Sequence, residues 1–309
     1  MFDHQHDVEG DPADEAERLD RALVDLDWTV PAPGAIASTV RVPSGELAIT
    51  SLGDPARPRV LLVPGVTGSK EDFVLMLPLL ASAGFFVQAI DLAGQYQSAA
   101  AGPPPGRRYD HDLFVRDVVA VLEDGGPAHL LGYSFAGTVA MLALVDRPDL
   151  VRSLTLLASP PIPGDVFRGV RGLGPLAPFA PARLIARLMI WGIRTNKNRV
   201  PPKRLEFVRH RFEFTSRRSV ADVIRLMQRT PDLAPEVNAI AVPKLVAVGS
   251  HDLWPLRLHA EFAERIGARL AVYPTGHSPC ETAPHQLTRD MLALFAETDQ
   301  ARAPRPSAP

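Results

Sequence analysis

The sequence lacks the features that direct a protein to a membrane or to nucleic acid. It contains no run of about 18 uncharged apolar residues, so no membrane span is expected. The formal net charge of the 309-residue chain is -2, whereas a dedicated nucleic-acid binder usually carries a clear basic excess. We therefore expect neither a nucleic-acid partner nor stable membrane insertion.

Disulfides, a signal peptide and cofactor motifs are also missing. The single cysteine, Cys280, has no partner for an internal disulfide, which favours a reducing compartment. The acidic N-terminus has no apolar run and is not a signal peptide, so a cytoplasmic location is predicted. No His/Cys/Asp cluster has metal-ligand spacing, and no glycine-rich nucleotide loop occurs. We expect no cofactor and no metal, and the sequence is silent on oligomeric state.

Short apolar runs alternate with longer segments of helical character. Each run is rich in leucine or β-branched residues and ends in Gly, Ser or Asp; their continuous apolar character predicts strands buried on both faces of a parallel sheet. A preceding stretch, STVRVPSGELAITSLG, predicts a strand pair around a Ser-Gly turn. This alternation indicates an open α/β sheet, whose ligands bind at the carboxyl ends of the strands. The runs read RVLLVPG, FFVQAIDL, HLLGYS, SLTLLAS, KLVAVGS and RLAVYPTG.

One segment interrupts this alternation. No strand run occurs across residues 160–242, where PARLIARLMIWGIR and SVADVIRLMQRT are typical of helices. Residues 160–240 contain 15 Lys/Arg and 6 Asp/Glu, a clear basic excess in a chain of net charge -2. We predict a helical cap at 160–242, with two open interpretations of its charge: a solvated lid surface, or arginines that attract an anionic acyl substrate. The stretch LIARLMIWGIR could equally line an apolar acyl pocket or contact lipid.

The remaining boundaries follow from composition. We predict a disordered or short helical extension over residues 1–30, with residues 1–18 disordered and Leu19, Leu23 and Leu26 at helical spacing. The core comprises residues 31–159 and 243–298, and the proline-rich residues 299–309 form a disordered tail.

A serine lies where a strand-like run meets a helix-like one, in the stretch HLLGYSFAGTVAML. A serine hydroxyl becomes a useful nucleophile when a histidine takes its proton and a carboxylate orients that histidine. A sharp strand-to-helix turn exposes the hydroxyl, and residues two positions away must be small because strand and helix come close together. Gly132 and Ala136 occupy those positions around Ser134.

At this point the sequence resembles the α/β-hydrolase family over roughly residues 36–296. GYSFAG resembles its nucleophile turn and implies Ser134 as the nucleophile, while VGSHDLWP and YPTGHSPCETAP resemble the segments that carry its acid and base. The resemblance implies Asp252 as the acid and His277 as the base, in the family's chain order. LLVPGVTGSKEDF resembles its oxyanion loop and implies the Val66 N–H and the Phe135 N–H as oxyanion donors. The implied fold is a mostly parallel eight-stranded sheet flanked by helices with an inserted helical cap.

Three positions depart from the family pattern, and one rival acid remains. Ala136 stands where glycine is commoner, and Pro64 stands where the oxyanion loop usually has histidine. Tyr96 replaces a usual glycine, which places an aromatic ring near the pocket or marks a different turn. Asp165, after the sixth strand, is the alternative to Asp252.

Other polar residues receive structural interpretations. Cys280 is predicted to be a packed small residue, and His251 a bystander beside Asp252. Helix or loop surface positions are predicted for His111, His210, His259 and His285.

The resemblance implies a cofactor-free, carboxylesterase-like serine hydrolase with a Ser-Asp-His triad. Its partner is a small-molecule acyl substrate, anionic or apolar, with a carboxylic ester or thioester bond. Carbon–carbon bond hydrolases, perhydrolases and acyltransferases use the same triad and stay open as alternatives. A non-catalytic ligand-binding protein of the same fold is an alternative from another class.

Overall fold

Eight strands form one sheet in the computed structural model, which describes residues 12–170 and 200–302. The spatial order is β1-β2-β4-β3-β5-β6-β7-β8; β1 and β2 form an antiparallel hairpin, β2 pairs antiparallel with β4, and every other pair is parallel. This confirms the predicted mostly parallel eight-stranded sheet. The strands are β1 (Ile36–Val42), β2 (Gly45–Leu52), β3 (Arg59–Val63), β4 (Phe86–Ile90), β5 (Ala128–Tyr133), β6 (Val151–Leu157), β7 (Lys244–Gly249) and β8 (Arg269–Tyr273).

The central strands are covered on both faces. Every residue of β3, β5 and β7 is buried, as their continuous apolar character predicts. The helices numbered in order along the described residues are α1 (Pro12–Arg21), α2 (Met76–Ser82), α3 (His111–Gly125), α4 (Phe135–Asp146), α5 (Pro202–Phe214), α6 (Arg217–Met227), α7 (Ala234–Ala239), α8 (Leu256–Arg265), α9 (Pro279–Thr282) and α10 (Pro284–Arg302).

Two apolar layers hold the helices against the sheet. Phe114 of α3, Val139 of α4 and Phe262 of α8 belong to one buried cluster. Met76 of α2 and Met291 of α10 belong to a second cluster, which also takes in residues of the central strands. The loops that carry the predicted site residues lie at the carboxyl ends of the parallel strands.

The N-terminal extension is more ordered than predicted. Residues 12–18 were predicted to be disordered, but they belong to α1, which ends at Arg21, before two of the three leucines that suggested a helix. Tertiary contact explains the difference, since α1 packs on α10. The Asp20 carboxylate accepts hydrogen bonds from the backbone N–H groups of His285 and Gln286, in the first turn of α10. His285, predicted at the surface, also lies 2.8 Å from this carboxylate through Nδ1.

The C-terminal boundary also differs. The disordered tail was predicted to begin at residue 299, but α10 continues to Arg302.

No helix within the two described ranges is both long and apolar enough to cross a bilayer.

An inserted segment, residues 160–242, separates β6 from β7. Its described residues contain α5, α6 and α7, and α6 coincides with the predicted helix in SVADVIRLMQRT. The helix predicted in PARLIARLMIWGIR lies outside the described residues. Helix α5, PKRLEFVRHRFEF, was not predicted because its buried face carries Arg204 and Arg211 beside Phe207 and Val208, so no apolar stripe marks it.

Candidate active site

Ser134 lies on the sharp turn between β5 and α4. Its backbone has φ 53° and ψ -122°, a region that residues with a side chain rarely adopt. The Ser134 N–H donates to the Leu157 carbonyl at 2.8 Å, and the Gly137 N–H donates to the Ser134 carbonyl at 2.9 Å. These bonds hold the strained conformation and leave the hydroxyl at the edge of the sheet.

Small residues around Ser134 allow this turn. A Cβ added to Gly132 would lie 2.4 Å from the Ala136 carbonyl oxygen, which is too close for any side chain. A Cβ added to Gly137 would lie 1.8 Å from Ser159 Oγ. Ala136, where the family pattern favours glycine, is fully buried. The close approach of strand and helix therefore requires glycine at 132.

His277 lies between the other two predicted catalytic residues. Its Nδ1 is 2.6 Å from Asp252 Oδ1, so an N–H at Nδ1 donates to the carboxylate. Its Nε2 is then left to accept the Ser134 hydroxyl, whose Oγ is 3.2 Å away. The His277 side chain is 22% exposed, which gives this end of the site access to solvent. The structure thus brings Ser134, His277 and Asp252 together.

Asp252 is buried in the loop after β7. Its Oδ1 accepts a second hydrogen bond from the Leu253 N–H. Burial raises the pKa of this carboxyl, but hydrogen bonds from His259 and His277 outweigh burial and lower the pKa to about 2. The rival acid Asp165 instead caps the short turn that follows it, accepting the Phe167 N–H at 3.0 Å.

His259 was wrongly predicted at the surface. It is 0% exposed, and its Nε2 lies 3.1 Å from Asp252 Oδ2. The distance suits a hydrogen bond, and neither atom has a better-aligned partner among the described residues. A sequence signal was available: His259, Phe262 and Ala263 have i, i+3, i+4 spacing and form the buried face of α8.

The loop after β3 lies directly over Ser134. A Cβ on Gly65 would be 2.9 Å from Ser134 Cβ, so glycine is required for this contact. The loop turns back through a Gly68 N–H···Gly65 O bond of 3.0 Å, with Thr67 at φ 63°. Val66 follows Gly65, and Phe135 follows Ser134 as the first residue of α4. Neither backbone N–H has a hydrogen-bond partner among the described residues, so both are available to an oxygen in this space.

A second polar cluster, the Asp72 cluster, joins the inserted segment to the loops that carry Val66 and His277. Arg204 of α5 donates to Asp72 Oδ1 at 2.6 Å and to Glu281 Oε2 at 3.0 Å. Arg211 of α5 donates to Asp72 Oδ1 at 2.6 Å and to Ser69 Oγ at 3.1 Å. Asp72, Arg204, Arg211 and Glu281 are almost fully buried.

The two acids of the Asp72 cluster shift in opposite directions. Burial tends to raise the pKa of Asp72, but Arg211 and Arg204 outweigh it and lower the pKa. Burial dominates at Glu281, although its ion pair with Arg204 and the more distant Arg211 oppose it, and raises the pKa. Because Arg204 and Arg211 are engaged here, neither can attract a substrate from solution.

Tyr96 contacts the same helix. Its φ of 39° is consistent with a position where glycine is usual. The ring is buried and meets Phe207 and Phe214 of α5 edge-on, with centroids 5.7 and 6.1 Å away. The aromatic ring therefore supports α5.

Cys280 is fully buried, which confirms it as a packed residue, and burial raises the pKa of its thiol.

A family model described as the alpha/beta hydrolase fold matches residues 58–222, more than half of the chain. The chain belongs to the α/β-hydrolase fold family. The match includes Ser134 and ends before Asp252 and His277. The fold is shared with solved structures: the enol-lactonase from Burkholderia xenovorans LB400 has a TM-score of 0.70 at 20% identity, covering 84% of this chain and 100% of that chain.

Curated relatives of this α/β hydrolase match over shorter stretches. Ethanol acetyltransferase 1 of Wickerhamomyces ciferrii is 30% identical over 106 residues, which are 33% of this chain and 26% of that protein. The serine hydrolase-like protein of Homo sapiens is 33% identical over 133 residues, which are 42% of this chain and 64% of that protein. The chain thus covers about a quarter of the first relative and less than two thirds of the second.

Proposed function

We propose that this α/β hydrolase is a serine hydrolase that cleaves a carboxylic ester or thioester through an acyl-enzyme. The observation that carries the proposal is the continuous contact from Ser134 Oγ through His277 to buried Asp252. A serine at a strained turn, a base within reach and an ionised acid behind it are the parts that nucleophilic catalysis requires.

In the proposed reaction, Ser134 Oγ attacks the acyl carbonyl carbon while His277 Nε2 takes the hydroxyl proton. Asp252 stabilises the resulting imidazolium through Nδ1–H. The Val66 and Phe135 N–H groups donate to the tetrahedral oxyanion, and such a donor is typically worth about 3 kcal/mol. His277 then protonates the leaving alcohol or thiol. Water repeats the sequence on the acyl-enzyme and releases the acid.

We also propose that residues 160–242 form a cap over this site. Helix α5 reaches the loops on both sides of Ser134 through the Asp72 cluster and through Tyr96. The start of α6 is tied to the body where the Ser216 N–H donates to the Gly94 carbonyl at 2.8 Å. Substrate class would then depend on the shape enclosed beneath these helices.

Transfer of the acyl group to an alcohol is the second candidate. Its support is the similarity to two proteins named ethanol acetyltransferase 1. The same acyl-enzyme would form, and ethanol would replace water as the second nucleophile. Added ethanol should then convert an acyl donor to its ethyl ester; release of free acid alone at every ethanol concentration would reject this candidate.

Labelling by a fluorophosphonate tests the proposal without knowledge of the substrate. We expect the wild type to be labelled on Ser134, and Ser134→Ala to lose labelling completely, because the reagent reacts with an activated serine. Ser82→Ala, an exposed serine at the end of α2, is the matched control and should label like wild type. A folded wild-type protein that resists labelling would instead favour the non-catalytic binding protein.

A further inference from the structure

The carboxylate of Asp252 is contacted on both of its oxygens, and only one contact belongs to the proposed reaction. Oδ1 accepts from His277 and from the Leu253 N–H. Oδ2 has no partner of good geometry among the described residues, yet His259 Nε2 is 3.1 Å away. A buried carboxylate oxygen without a hydrogen bond is costly, so His259 is the group placed to satisfy it.

The surroundings hold the His259 ring in this position. It projects from α8 with no solvent exposure and meets the Trp254 ring edge-on at a centroid distance of 6.2 Å. Trp254 is anchored by an Nε1–H bond of 2.8 Å to the Val166 carbonyl. The same indole contacts the His277 ring at 5.8 Å. Trp254 thus packs against both histidines and holds the His259 ring beside Oδ2.

We propose that His259 is a positioning residue that donates its Nε2–H to Asp252 Oδ2 and so fixes the carboxylate plane in which Oδ1 receives His277. This inference rests on the proposed serine hydrolase function. It requires opposite tautomers on the two rings: Nδ1–H on His277 and Nε2–H on His259. The carboxylate is then held from two sides, by a catalytic ring that reaches solvent and by a buried ring that does not.

The lowered pKa of Asp252 is consistent with this arrangement, since two N–H groups favour the ionised form in a buried site. Without His259, Oδ2 would lose its neighbouring donor, and the carboxylate would be held through Oδ1 alone. His277 would then lose its fixed orientation towards Ser134 even though the hydroxyl, the base and the acid are all still present.

Three variants of the full-length chain separate positioning from packing. His259→Leu keeps a side chain of similar bulk and removes both nitrogens, whereas His259→Gln supplies a terminal N–H at similar reach. His129→Leu is the matched control: His129 is also buried, its Nδ1 bonds to Ser153 Oγ at 2.8 Å, and it lies at the other end of β5 from the site.

The first readout is the second-order rate constant of fluorophosphonate labelling, measured on protein that circular dichroism shows to be folded. We expect His259→Leu to label roughly 50-fold more slowly than wild type, less than the ~10⁴-fold effect of disabling a triad carboxylate. His259→Gln should recover to within about fivefold and His129→Leu to within about twofold of wild type. Equal rates for His259→Leu and wild type, or equal losses in the Leu and Gln variants, would overturn the proposal.

The second readout does not depend on catalysis. The carboxyl ¹³C resonance of Asp252, assigned by its loss in Asp252→Asn, is titrated by NMR. We expect its pKa to rise from about 2 towards the ordinary range in His259→Leu and to stay low in His259→Gln and His129→Leu. If wild type does not label, the proposed function fails, and the titration still decides the contact: an unchanged Asp252 pKa in His259→Leu rejects it.

Discussion

Two polar clusters lie at the carboxyl edge of the sheet, and they differ in what they leave accessible. In the Ser134 cluster, comprising Ser134, His277, Asp252 and His259, the chain of contacts begins at a buried histidine and ends where His277 reaches solvent. The Asp72 cluster has two arginines and two acids, almost fully buried, so its charges cancel. The first leaves one end open to solvent, and the second joins three segments of the chain.

The difference shows how charge can be used inside one fold. A buried ion cluster tolerates desolvation only when its members pair with one another, which removes them from chemistry. A nucleophilic site instead needs a hydroxyl bonded to its base and two N–H groups that are left for the substrate oxygen. Both clusters contact the loops after β3 and β8. A substitution that disrupts one cluster is therefore expected to affect the other.

Breaking the Asp72 cluster should have the largest effect on stability. Arg204→Leu leaves Glu281 buried without its ion-pair partner, and we expect a loss of about 4 kcal/mol in the free energy of unfolding. Urea denaturation measures this loss. The control is Arg257→Leu, which removes an exposed pair with Glu261 and should cost under about 0.5 kcal/mol. Similar small losses in both variants would mean that the Asp72 cluster does not hold the inserted segment in place.

The turn that carries Ser134 should instead be sensitive to a single added methyl group at a neighbouring glycine. Gly132→Ala places a Cβ against the Ala136 carbonyl and must push α4 away from β5, at an expected cost of about 3 kcal/mol together with slower fluorophosphonate labelling. Gly106→Ala has open space around the added Cβ and bears only the strain of φ +82°, about 1 kcal/mol. If the two variants prove equally stable, the close contact between strand and helix is not what sets the turn.

Lowering the pH should have a smaller effect on stability, through the ionised Asp252 carboxylate of the Ser134 cluster. The folded pKa of Asp252 is about 2, below its unfolded value of ~3.9, so its contribution is present above pH 4 and is lost as the pH falls through 2. Relative to Asp252→Asn, wild type should therefore lose about 2 kcal/mol in the free energy of unfolding between pH 6 and pH 2. Unfolding curves at several pH values measure it. A difference that is independent of pH would contradict the lowered pKa.

Much of the molecule could be predicted because its signals are local. The apolar runs identified the buried strands, and the small residues around Ser134 identified the turn. The resemblance of three segments to the α/β-hydrolase family implied three residues that the structure brings into contact. The failures at α1 and α5 have another cause, because their order or burial comes from partners far away in the chain. His259 is different, since its spacing with Phe262 and Ala263 was a local signal of burial.

The sequence by itself determined the alternation of strands and helices and the residue types at the candidate site, since periodicity and small-residue spacing are local properties. Only the tertiary structure decided which polar residues are buried together. Arg204 meets Asp72 across 132 positions and Glu281 across 77, and His259 meets Asp252 only because α8 packs its apolar face inward. A charged or titratable side chain is buried when a partner offsets its desolvation, and only folding brings such distant partners together.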